Sequence, residues 1–332
     1  MTSGAGKKVV YNAKLVTGLS ILSFFALLAL APLLFASLHL SQFSGHDQLN
    51  NFLGHPPLSD LNLTNIAPFT NEEHWLGTDA MGRDLLGMLA WGALGSLSVA
   101  LVASFTSVFV GNLFGSFSAL LGGLVDNIMM RLVDSLLAIP PVILLLTLST
   151  FLTAPEFTTK LPLVLCRLLS VSHSSDGLLP LFTVTVAIAA TTWLESARVA
   201  RSRVLSIKTE EYCTAALALG DSNLQLLRRH LLPALVTIAV VEATLLVSDA
   251  IIMESGLSFL GLGLGPQTPS WGSMLRDAQV SLIQGNWWGA LAPGLAIVLT
   301  VISIHLIGQG FLELRSTRVH AHMHGVGFGK VK

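Results

Sequence analysis

Charge is scarce in this sequence. Asp, Glu, Lys and Arg make up 11% of its 332 residues, less than half the ~25% usual in a soluble globular domain. So few charges cannot cover the surface of a soluble fold of this size. Cysteine is scarce as well. Cys166 and Cys213 are the two in the chain; they lack a metal-ligand spacing, and the topology derived below puts them on opposite sides of a membrane, which excludes a bridge between them. Aromatic residues are 7% and the formal net charge is −1. With no stacking pattern, no zinc-finger spacing and no basic field, nucleic acid is excluded as a partner. There is no H-E-x-x-H and no G-x-S-x-G, which argues against an intramembrane hydrolase. "GAGKK" at residues 4–8 fails as a phosphate loop, because Met1 occupies the first glycine position and no strand precedes it. Any energy from nucleotide hydrolysis must come from another chain.

What is present is apolar sequence in long blocks. Hydrophobic residues are 52% and the mean hydropathy is +0.71. Runs of about 20 apolar residues match a ~30 Å bilayer core. Six spans are expected, at roughly 17–38, 94–121, 133–153, 178–194, 234–255 and 289–311. Lys7, Lys8 and Lys14 precede the first. Its apolar run exceeds the ~7–15 residues of a signal core, so it is expected to stay as a helix. Pro140 and Pro141 should kink or restart the third span. With the N-terminus inside, only Arg83, Lys160, Arg167 and Arg276 of the 18 Lys and Arg lie outside. That asymmetry places both termini in the cytoplasm.

One polar island interrupts this pattern: "EYCTAALALGDSNLQLLRRHLLP", Glu211 to Pro233. It should form two short helices on the cytoplasmic side. Thr209 is a candidate cap of the first, with Glu210 and Glu211 in its opening turn, where carboxylates suit the helix dipole. Gly220 falls at that helix's end, where a positive φ is common. Ser222 and Gln225 have capping-box spacing for the second. Arg228 and Arg229 fall in its last turn, and Pro233 opens the fifth span. The small residues Ala215, Ala216 and Gly220 allow close approach of another surface. That surface is either the chain's own bundle or a cytoplasmic partner.

Here the chain resembles a known family. Glu211-Tyr212, Ala215-Ala216, Gly220 and Leu232-Pro233 are similar to the coupling loop of bacterial ABC importer permeases. "WLESARVARSRVLSIKTEEY", "ESGLSFLGLGLGPQTPSWGSML" and "HWLGTDAMGRDLLGMLAWGALGSL" resemble segments of the dipeptide/oligopeptide/nickel branch, in the right order over about residues 72–290. Thr214 stands at the usual glutamate of the coupling motif, Leu94 at a usual arginine, and the outer segment 154–177 is long for the branch.

The resemblance implies an all-α polytopic protein with the type I importer permease fold. Its parts would be an N-terminal tail, first helix and outer loop (1–93), a five-helix core (94–311) with the coupling loop at 195–233, and a cytoplasmic tail (312–332). It also implies a homologous second permease subunit, an extracytoplasmic binding protein and two ATPase subunits that hydrolyse ATP with Mg. Glu211, Tyr212, Ala215, Ala216, Gly220, Arg229, His230 and Pro233 would make the ATPase contact. Gly77, Thr78, Asp79, Gly82, Arg83 and Asp84 form the outer motif. Peptide is the expected passenger, with nickel or another small solute as the alternative.

Glu242 and Asp249 lie seven residues apart in the fifth span, on one helix face. An acid at the bilayer centre costs about 2.5–3.5 kcal/mol on insertion scales, so both should face the bundle or a pathway. In a proton-coupled secondary transporter they would form the relay; dependence on ATPase chains separates the two classes. Glu254, nearer the outer end, is taken as structural. Gly256, Gly261, Gly263 and Gly265, followed by Pro266 and Pro269, point to a re-entrant turn near the outer mouth. His320, His322 and His324 are read as part of a flexible polar tail rather than a metal site.

Overall fold

The computed structural model describes residues 3–39, 63–70, 74–154, 179–265 and 268–325. Every regular element among them is a helix. Helix α1 (Ser3–His39) contains the first apolar run, Lys14–Pro32. Helix α2 (Leu85–Leu121) is capped by Asp84, whose carboxylate accepts from the Gly87 amide at 2.7 Å. It ends at Gly122 and Gly123, both with positive φ. Its 37 residues span about 55 Å, well beyond a ~30 Å bilayer core, so its ends project. Helices α5 (Leu179–Lys208), α8 (Leu232–Phe259) and α10 (Trp288–Gly325) are also long and apolar enough to cross.

The expected third crossing is broken. Helix α3 (Gly123–Leu137) meets α4 (Pro141–Thr153) at 91°. Pro140 and Pro141 supply no amide donors, and a residue before proline is pushed out of helical conformation; Pro140 accordingly has ψ 128°. Five single helices and this bent pair account for the six expected crossings.

Several helices outrun the expected spans. Helix α5 reaches Lys208 instead of stopping at 194, because helix-forming polar residues carry it past the apolar run. The tail expected to be flexible continues α10 to Gly325, so its three histidines lie on helix. The outer segment 155–178, including Cys166, falls outside the described residues.

Helix α2 is central. It packs against α5, α8 and α1, while α10 packs against α1, α8 and α9 (Trp271–Ile283). The α2–α5 contact is unusually close. A Cβ on Gly111 would lie 2.4 Å from the Ser196 Cβ, and one on Gly115 would lie 2.1 Å from the Ala197 carbonyl oxygen. Small residues allow this approach where water supplies no hydrophobic drive between helices. The hydroxyls of Ser107 and Thr192 meet at 2.6 Å across the seam. Toward the C-terminal end of α5, Arg201 grips Asp126 of α3 through two bonds of 2.6 and 2.5 Å.

Candidate coupling elbow, groove and outer clasp

The polar island folds as an elbow. Helix α6 (Glu211–Ala218) is followed by a short turn and α7 (Asn223–Leu226). The Thr209 hydroxyl donates back to the Ser206 carbonyl at 2.7 Å, so it does not cap α6. Glu210 takes that place, its carbonyl accepting from the Cys213 and Thr214 amides. The physical reason is that α5 runs on to Lys208 and leaves Thr209 in its closing turn.

Gly220 has φ +98°. The Asp221 amide donates to the Ala216 carbonyl at 3.1 Å, the bond of a helix closed by a left-handed residue. The expected capping box is present. The Ser222 amide donates to Gln225 Oε1 at 2.8 Å, and the Gln225 amide to Ser222 Oγ at 3.4 Å.

The arginines do not end a helix. Residues Leu227–Leu231 form one π turn that leads directly into α8. Pro233 is the second residue of α8 and would crowd the carbonyl four residues back. The wider turn removes that crowding, and the Leu232 amide bonds to Leu227 instead. His230 falls within this turn. Arg229 is exposed, with Nη1 4.0 Å from Asp221.

One face of α6 belongs to the chain's own bundle. Cys213 and Ala216 are buried with Ala119, Leu120, Val204, Leu226, Leu227, Leu231 and Leu235. The opposite face carries Glu211, Tyr212 and Ala215, with Leu219 just past its end, all exposed. Leu219 is 89% exposed and Tyr212 49%. The small residues therefore fall on different faces: Ala216 packs inward against the chain's own bundle and Ala215 points out. A Cβ on Gly220 would meet nothing within 4 Å.

The two membrane acids part company. Glu242 is half-buried beside Asn112 of α2 and Ser196 of α5. Asp249 is exposed and lines a groove of about 320 Å³, together with Glu195, Thr191 and Thr192 of α5 and with Leu137 and Pro141 at the break between α3 and α4. Sequence reading missed Glu195. Its signal was the four-residue step from Thr191, which puts both on one face of α5.

The outer motif is a clasp. A Cβ on Gly77, at φ +79°, would strike the Ile66 carbonyl. Thr78 is fully buried; its hydroxyl donates to the Leu63 carbonyl and accepts from the Ile66 amide at 2.9 Å. Asp79 accepts from the Met81 and Arg83 amides and pairs with Arg83 Nε at 2.6 Å. Gly82 closes this loop at φ +72°, its amide donating to Asp79. Arg83 reaches on to Asp277 of α9 at 3.0 Å. Burial pulls the Arg83 guanidinium down, but bonds and charge from Asp277 and Asp79 outweigh it and raise the group above its ordinary value. Asp84 caps α2 and meets His74 Nδ1 at 3.1 Å. The clasp thus ties the start of α2 to α9. Asp277, its far anchor, carried no sequence signal, being 194 residues from Arg83.

Comparison with known proteins agrees with this architecture. A Brucella suis biovar 1 protein carrying a provisional peptide permease name is 36% identical over 290 residues, covering 87% of this chain and 84% of its own. The dipeptide transport system permease protein DppC of Bacillus subtilis is 32% identical, over 75% of this chain and 69% of its own. The oligopeptide transport system permease protein OppC of Haemophilus influenzae is 31% identical, over 77% and 74%. Residues 111–320, well over half of the chain, match the family described as the binding-protein-dependent transport system inner membrane component, and the protein belongs to that family.

Proposed function

We propose that this chain is a permease subunit of an ATP-driven importer of di- or oligopeptides in the bacterial cytoplasmic membrane. The observation that carries the proposal is the two-faced elbow. One face of α6 is fastened to the bundle, and the other offers an exposed Glu211, Tyr212 and Ala215, with Leu219 just past its end, to a partner. The partners are two ATPase subunits at this elbow, a homologous second permease subunit across the groove, and an extracytoplasmic binding protein on the clasp side. ATP and Mg are used by the ATPases, not by this chain. Peptide as passenger is supported by the names of the relatives. Closure of the ATPases would push on α6 and turn the bundle outward as a rigid body.

Co-expression with the neighbouring ATPase and permease genes tests this directly. Two ATPase chains should purify with the permease pair, and peptide-loaded binding protein should stimulate ATP hydrolysis. Peptide uptake driven by a proton gradient without ATPases would sink the reading. Stimulation by nickel-loaded but not peptide-loaded protein would replace the passenger.

Orientation has its own test. Thr70 and Ser222 are both exposed. In a Cys166→Ser background, Thr70→Cys should react with an impermeant thiol reagent in intact cells and Ser222→Cys should not. The reverse pattern would invert the topology and remove the elbow from the ATPase side.

Asp249 and Glu195 line the translocation path, whereas Glu242 supports the contact of α2 with α5. Asp249→Asn should lower transport per assembled complex several-fold while leaving the amount of complex unchanged. Glu242→Gln should leave transport per complex unchanged. Equal turnover defects in both would return Glu242 to the path.

A further inference from the structure

The groove beside the break between α3 and α4 carries charge of one sign. Its volume is about 320 Å³, and its charged lining side chains are Asp249 of α8 and Glu195 of α5. Among the described residues that line it there is no Lys, Arg or His. Both acids are exposed. Among the described residues neither makes a hydrogen bond or an ion pair. His305 of α10 stands near Asp249 but does not line the groove. Asp79, Asp126, Asp134 and Asp277, by contrast, each meet an arginine. The acids left without a counter-charge are the ones that face the open space.

The rest of the lining does not offset them. Thr191 and Thr192 donate their hydroxyls to the Ile188 carbonyl at 2.8 and 2.9 Å, so what they have left to offer is lone pairs. Leu137, Leu246, Ile252 and Met253 make apolar walls. Charge of one sign between low-dielectric walls focuses its field into the space they enclose. A passenger entering the groove displaces the water that hydrates the two carboxylates. A side-chain ammonium replaces that water with charge-assisted hydrogen bonds. A side-chain carboxylate replaces it with like-charge repulsion. A bound metal would need more ligands, and among the described residues no three His, Cys, Asp or Glu gather to hold one.

We propose that the groove selects its passengers by charge: Asp249 and Glu195 favour peptides with cationic side chains and hold back peptides with acidic ones. This rests on the reading of the groove as the translocation path. The selection acts inside the membrane, after the binding protein has made its own choice. Its strength depends on the two carboxylates together, because they bring charge to the same space from different helices.

The peptides Ala-Lys-Ala, Ala-Ala-Ala and Ala-Glu-Ala test the proposal, because they share length and termini and differ in one side chain. Uptake per assembled complex is measured in proteoliposomes, with each peptide supplied on saturating binding protein. The same binding protein serves every variant, so its own preference cancels from the comparison. Asp249→Asn should lower uptake of Ala-Lys-Ala most and of Ala-Glu-Ala least, cutting the ratio of the two about fivefold; adding Glu195→Gln should cut it about tenfold. Asp249→Glu, which keeps the charge, should hold the ratio within about twofold. Glu242→Gln, outside the groove lining, should leave the ratio unchanged. An equal fall for all three peptides in Asp249→Asn would overturn charge selection and leave the groove as the path. Unchanged uptake of all three in the double variant would remove the groove from the path, and the selection with it.

Discussion

Gly220→Arg is expected to leave the chain in the membrane at normal abundance and to abolish nearly all transport. The backbone alone does not account for so large an effect. At φ +98° a side chain strains the turn by about 1 kcal/mol, and within this chain its Cβ meets open space. What remains is the partner surface that the elbow faces. Gly220→Ala should weaken transport, and peptide-stimulated ATP hydrolysis should fall in parallel. Gly220→Asn separates the two causes, because asparagine tolerates positive φ. If only the turn matters, Asn restores transport. If an ATPase seats against the turn, Asn fails and the ATPases are lost in mild detergent. Normal transport by Gly220→Arg with the ATPases bound would remove the elbow from the contact.

Gly115→Leu should leave almost no assembled permease, the largest loss of structure expected from any single change described. A Cβ there would sit 2.1 Å from the Ala197 carbonyl oxygen and 2.9 Å from the Arg201 amide nitrogen. Both obstacles are backbone atoms, so no rotamer change relieves them and the two helices must separate. Overpacking typically costs about 1–3 kcal/mol and more when backbones collide. Separation would also pull at the Arg201–Asp126 pair and the Ser107–Thr192 contact. Gly115→Ala should reduce the monodisperse fraction in detergent, with Leu worse. Gly256→Ala is the control: it lies in the regular run of α8, a Cβ meets nothing within 4 Å, and assembly should be unchanged. Normal assembly of Gly115→Leu would mean that α2 and α5 do not close as described.

Much of this architecture was legible in advance because it rests on local chemistry. The apolar runs gave the crossings, the double proline marked the broken one, and Ser222 with Gln225 marked the second short helix. Gly220 was placed by the same logic. What stayed hidden depends on residues distant in sequence. Asp277 anchors Arg83 across 194 positions, and Glu195 reaches the groove only because α5 runs alongside α8 there. The π turn was hidden for another reason. Its arginines look like a helix terminus, and only the demand of Pro233 for space turns that terminus into a continuation. The parting of Glu242 from Asp249 has a similar origin. Seven residues place two side chains on one face of a helix, but that face passes from a packed neighbour to an open groove along its length.

The π turn also sets the mechanics. Leu226, Leu231 and Leu232 all keep right-handed helical angles, so Asn223 to Phe259 is one unbroken rod of about 55 Å. Its far end is held around the buried Glu254, where a Cβ on Gly272 of α9 would lie 2.4 Å from the Ser255 carbonyl oxygen, and its near end carries the elbow. Turned about that end together with the rest of the bundle, the rod would act as a lever with very unequal arms. A tilt of about 10° swings the π turn through about 7 Å but moves Asp249, five residues from the fulcrum, by little more than about 1 Å. In the proposed cycle a large stroke at the elbow would be geared down to a small displacement of Asp249 relative to the subunit across the groove, comparable to the difference between a hydrogen bond held and one lost.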